Sequence, residues 1–227
     1  RVLLVALAVT LLLLTSVYMV EVTASVANIT LPARGEVVNH PFLRNVWFVH
    51  ETSYALTSLL MLCLTIERLI ASIKARQYTP GFSYVTIIAV LLSIAGSVTF
   101  GFFVHFRDTH IPTTSAINSF EICALFLAIF TLYWSRRKYQ AMALSDLEYR
   151  YQIDEVISLT KSIIPAIILG VTFKLTAMIS VWCMILLDTD PLFYSEIVSA
   201  YGLIFPWIIM VRHHRMRSHL VHLITCG

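Results

Sequence analysis

The sequence predicts an all-α fold, a multi-pass bundle of membrane-crossing helices, and three observations predict it. Of 227 residues, 58% are hydrophobic and only 13% charged, where soluble domains carry roughly a quarter charged residues; the mean hydropathy is +0.80. Six apolar runs have the roughly 20 residues a helix needs to cross a hydrocarbon core of about 30 Å. The basic residues fall in short blocks between those runs, concentrated on alternate links. A soluble fold would need a charged surface that so few charges do not supply, so the apolar side chains are expected to face a lipid bilayer.

Taken in order, the first run, Val2 to Val20, contains no charge. The second, Val46 to Ile66, has His50 and Glu51 near its start and runs directly into Glu67 and Arg68. The third, Tyr84 to Phe106, holds His105; the fourth, Ala116 to Trp134, holds Glu121 and leads into Arg136, Arg137 and Lys138. The fifth, Ile163 to Leu187, contains Pro165 and Lys174, and the sixth, Leu192 to Val211, contains Glu196 and Pro206. Lipid offers no partner to bare N–H and C=O groups, so each run must satisfy its own backbone as a helix. Ten-residue alternating segments, the mark of a membrane barrel, are lacking. A proline inside a span frees a carbonyl and permits a kink.

Topology follows from the positive charges. The links after the second and fourth spans, the tail and Arg1 hold twelve of the sixteen Lys and Arg residues; the other links hold only Arg34, Arg44 and Arg107, and Lys174 lies within a span. The positive-inside rule then puts both ends in the cytoplasm. The sequon Asn28-Ile29-Thr30 falls in an outer link, as a glycosylation acceptor must. Residues 1–227 read as one transmembrane domain, with 212–227 as a cytoplasmic tail. In that tail Met216, Leu220, Leu223 and Ile224 share a helical spacing with basic residues and histidines around them, the pattern of a membrane-surface helix, and Cys226 is a palmitoylation candidate. The chain opens on Arg1 and enters a span at once. Six spans with an inside start are what remains when the first helix of a seven-span protein is missing, and that is the expectation.

Few residues are placed to carry chemistry. Lys174, near the middle of its span, costs about 2.5–3.5 kcal/mol unless it meets water or a partner, so a binding role is weighed against simple snorkelling. Glu51, Glu121 and Glu196 lie one to two turns inside the outer ends of their spans, at one membrane depth, and with Lys174 form a candidate ligand-binding set; the competing reading is a water-facing interfacial carboxylate at each. Arg68 has two geometries open to it, folding sideways to Glu67 or reaching to another helix, so the pair is either a switch or an interfacial anchor. His50 and His105 match no metal-ligand spacing, and neither a metal nor another cofactor is expected. Cys63, Cys123, Cys183 and Cys226 are too widely spaced for a metal motif and read as small buried hydrophobes. A nucleophile with an evident base and a phosphate-binding glycine loop are both lacking, so enzymatic activity is not expected, nor is nucleic-acid binding at a net charge of +3. The residues set no expectation for an oligomeric state.

Two segments carry a family resemblance: Ile66-Glu67-Arg68-Leu69-Ile70-Ala71-Ser72 followed by Tyr78, and Leu144-Ser145-Asp146-Leu147-Glu148-Tyr149-Arg150-Tyr151-Gln152-Ile153-Asp154-Glu155. With the layout of spans, the chain resembles a G-protein-coupled receptor, and more closely the nematode serpentine chemoreceptors of the Sre family and its relatives in the Sra group. The second segment is similar to that family's "LS…RYQ…EN" stretch, with Val156 where the pattern has Asn. Leu69 stands where rhodopsin-like receptors place an aromatic, and the last span has Phe205-Pro206-Trp207 instead of Asn-Pro-x-x-Tyr.

The resemblance implies a plasma-membrane chemosensory receptor, in a sensory-neuron cilium. Glu67 and Arg68 would be its ion-lock pair, the inner loops would contact a heterotrimeric G protein, and a small-molecule cue would bind among the outer helix halves. The alternative is a transporter or ligand-gated channel subunit that uses Lys174 and the glutamates as its pathway.

Overall fold

A computed structural model describes residues 2–26, 41–74, 84–107, 110–141 and 147–187. Asn28, Glu196, Pro206, Cys226, the sixth expected span and the tail lie outside the described residues. Within them the regular structure is entirely helical: α1 (Val2–Val26), α2 (Pro41–Ile73), α3 (Tyr84–Arg107), α4 (His110–Ala141) and α5 (Leu147–Leu187). Four segments are long and apolar enough to cross a membrane, Asn45–Ile73, Tyr84–Val104, Pro112–Ala141 and Tyr149–Thr176, and Val2–Val17 adds a shorter apolar helix. Helices of that length and apolarity mark a membrane protein.

The chain divides into two compact units. The first comprises Arg1–Leu60 and Ser83–Asn118. There α1 packs against α3. Leu3, Leu7, Leu11 and Leu14, spaced by three and four, are buried, while Val5, Val9 and Leu12 on other faces are exposed. In water such exposure would be costly; against lipid tails an apolar outer face is the expected arrangement. Close approach in this unit rests on small residues. Ser93, Ser97 and Gly101 fall four apart on one face of α3, with both serines buried. A Cβ on Gly101 would collide with the Thr52 hydroxyl and lie 3.4 Å from the Phe48 ring, and one on Gly96 would meet Leu59 at 3.3 Å.

The second unit comprises Met61–Phe82 and Ser119–Gly227. Its part of α4 turns Ala124, Ala128, Thr131 and Ser135 inward, all small and spaced by three or four. Ser135 and Ser72 of α2 share a hydrogen bond between hydroxyls at 2.7 Å. Lys138, one turn further along, donates to the carbonyls of Ser72 at 3.1 Å and Ile73 at 3.3 Å. Those carbonyls belong to the last turn of α2, which has no helical donors left for them, so the ammonium caps it.

Two expectations are corrected. The link between the fourth and fifth spans, expected from Ser135 to Ser162, is largely helical: α4 continues to Ala141 and α5 begins at Leu147. The reason is apolar periodicity within the basic stretch, since Ile153 and Ile157 form a buried cluster covered by Leu132, Tyr139 and Tyr149. Cys123, expected to be buried, is exposed, and Cys63 is only partly covered. A thiol is a weak hydrogen-bonding group, so a face turned to lipid accepts it as readily as a core does. Pro165 lies inside α5, and the helix runs on past it.

Candidate functional site

Two ion pairs lie within the second unit. Lys174 of α5 donates from Nζ to Oε1 of Glu121 on α4. Both side chains are enclosed, at 2% and 3% exposure, so neither snorkelling for Lys174 nor a water-facing interface for Glu121 describes them. A lone ammonium in hydrocarbon is expensive, and a carboxylate in direct contact offsets much of that cost. Such a pair cross-links two helices. It also presents a cation and an anion to any ligand that offers a better partner for one of them.

The other pair is Arg68 and Glu67 on α2, joined at 2.8 Å from Nη2 to Oε1. Of the two geometries open to Arg68 in the sequence, the sideways one is adopted. Side-chain exposures of 11% and 17% place the pair at the margin of the packed region. Arg68 Nε, by contrast, is buried and has no hydrogen-bond partner among the described residues. The residue borders a small cavity of about 10 Å³ lined also by Leu64, Thr65, Ala128, Thr131, Thr160 and Ile163, roughly the room one water needs. Thr65, Thr131 and Thr160 each donate their hydroxyl proton to a carbonyl of their own helix, Leu62, Leu127 and Val156 respectively. Each oxygen keeps acceptor capacity beside a guanidinium that has donors to spare.

Of the expected ligand-binding set, Glu121 and Lys174 are brought together. Glu51 is buried next to the buried His50 in the first unit, and Glu196 lies outside the described residues, as do the glycosylation candidate Asn28 and the lipidation candidate Cys226. Glu67 and Arg68 sit together, one of the two geometries the sequence left open. The chemistry-bearing residues that sequence reasoning missed are hydroxyls: Thr131, Thr160 and the Ser72–Ser135 contact. Their signal was present, because small polar residues recurring at three and four inside apolar helices are the usual glue of membrane bundles. Lys138, read only as a topology charge, has a second use as a helix cap. Among the described residues no group of three or more His, Cys, Asp or Glu is placed to hold a metal.

This arrangement offers two charge pairs with different freedom, one locked in the interior and one marginal pair beside unused acceptors. No protein-family model, curated protein or solved structure matches the chain.

Proposed function

We propose that the chain is the body of a seven-helix chemosensory receptor of the nematode serpentine type, which binds a small chemical cue from outside and signals to a heterotrimeric G protein. Six spans belong to this chain in that reading, both its ends are cytoplasmic, Asn28 carries a glycan, and the protein resides in the plasma membrane of a sensory cilium. The observation that carries the proposal is the state of Arg68. It is tied to Glu67 at 2.8 Å while bordering a cavity lined by threonines of three helices. Two alternative sets of partners within reach of one guanidinium are what a two-state element requires.

The ligand acts, in this proposal, through the Lys174–Glu121 pair. A cue with a carboxylate or an amine competes for one member, releases the other, and so favours a different packing of α4 on α5. Agonist-stimulated nucleotide exchange on a G protein, measured in cells expressing the receptor, tests this. Arg68→Ala at equal surface expression abolishes the response; an intact response refutes the switch.

The buried Lys174–Glu121 pair also favours a second reading, an ion-coupled transporter or ligand-gated channel, since intramembrane charge pairs mark ion pathways as well. Recording membrane current in the same cells separates the two. Current that persists with G proteins blocked supports the pathway reading over the receptor.

A further inference from the structure

Along α4, Phe126, Phe130 and Tyr133 are exposed at 69%, 50% and 64%. At about 100° per residue they fall on one stripe, and Arg137 continues it. Exposed Ile129 and Arg136 flank the stripe on one side. On the other, Trp134 stacks on Phe130 with ring centroids 6.1 Å apart. From Phe126 to Arg137 the helix rises about 16 Å, close to half of a hydrocarbon core of about 30 Å. The stripe therefore has the length of one leaflet, with apolar rings along it and guanidiniums at its end.

The neighbouring cations are already engaged. Lys138 donates to the Ser72 and Ile73 carbonyls, and the Arg150 guanidinium stacks 4.9 Å over the Tyr139 ring. Arg136 and Arg137 are exposed and, among the described residues, make no hydrogen bond, ion pair or ring contact; Asp154 and Glu155, exposed on α5, pair with neither. We propose that this stripe is a binding site for an anionic phospholipid, its phosphate held between Arg136 and Arg137 and its acyl chains lying along Phe126, Phe130 and Tyr133. The planar donor fork of arginine matches phosphate oxygens in pairs, and aromatic rings at headgroup level anchor the interface. The proposal rests on α4 crossing the membrane.

The full chain, reconstituted in phosphatidylcholine vesicles with trace spin-labelled lipids, tests it. Labelled phosphatidic acid and phosphatidylserine enrich in the motionally restricted population relative to labelled phosphatidylcholine, on the order of fivefold at this site for each arginine. Arg136→Gln with Arg137→Gln removes the enrichment, and Lys74→Gln keeps it. Restricted lipid without headgroup preference overturns the proposal alone, whereas a lack of any restricted lipid overturns membrane crossing by α4 and the proposal with it. If the double variant keeps the lipid preference and loses G-protein activation, the arginines are a protein contact and the proposal is wrong.

Discussion

Lys174 and Glu121 stand 53 residues apart in sequence and meet as an enclosed ion pair between α5 and α4. Removing one partner takes from the other its direct counter-charge in a medium that solvates ions poorly. Lys174→Met is expected to destabilise the protein by about 3–5 kcal/mol, whereas Lys174→Met combined with Glu121→Gln recovers most of the loss. Unfolding by denaturing detergent in mixed micelles measures both, and a double variant as unstable as the single would show that the charges are not coupled.

Arg68 gives a prediction on function independent of fold stability. On the proposed receptor reading, Arg68→Ala is expected to abolish agonist-driven G-protein activation, and Thr131→Val, which keeps the side-chain volume and removes an acceptor beside the cavity, is expected to lower the active population without affecting surface expression. Nucleotide-exchange assays normalised to surface protein read both. Unchanged exchange in each variant would leave the cavity with no signalling part.

Gly101 is placed where a side chain has no room. Gly101→Val drives a branched side chain onto Thr52 and is expected to cost about 1–3 kcal/mol. Gly101→Ala costs less, and pairing it with Thr52→Ala, which removes the hydroxyl a new Cβ would strike, restores part of the loss. Thermal unfolding in detergent of the two single variants and the pair checks this; additive losses would show that the contact is not the cause.

The contact between Ser72 and Ser135 is expected to be modest. A cycle of Ser72→Ala and Ser135→Ala returns a coupling of about 0.6 kcal/mol, the typical value for hydrogen bonds between membrane helices. Lys138→Met, which uncaps the last turn of α2, costs about 0.3–1 kcal/mol. Amide exchange of residues 70–74 follows the second variant, and protection equal to that of the parent chain would remove the cap from the account of α2.

Much of the fold was legible because apolar composition adds up along a run whatever the helix's rotation. Val46–Ile66, Tyr84–Phe106 and Ala116–Trp134 each lie inside a helix of the structure. The stretch from Leu147 to Ser162 was not read as part of a span because its charges mask Ile153 and Ile157, whose burial depends on Leu132, Tyr139 and Tyr149 covering them. Similarly, Glu121 looked interfacial by its position one to two turns from a span end, and only the approach of Lys174 made its burial affordable.

By itself the sequence determined the solvent, the helical class and the residues whose charge had to be resolved, since transfer to lipid is a property of each segment alone. Tertiary structure decided the partners: which carboxylate Lys174 meets, which way Arg68 turns, and that Lys138 closes the end of α2. Those choices depend on the rotation and axial offset of largely apolar helices, and such helices carry too weak an amphipathic pattern in their sequence to fix either one.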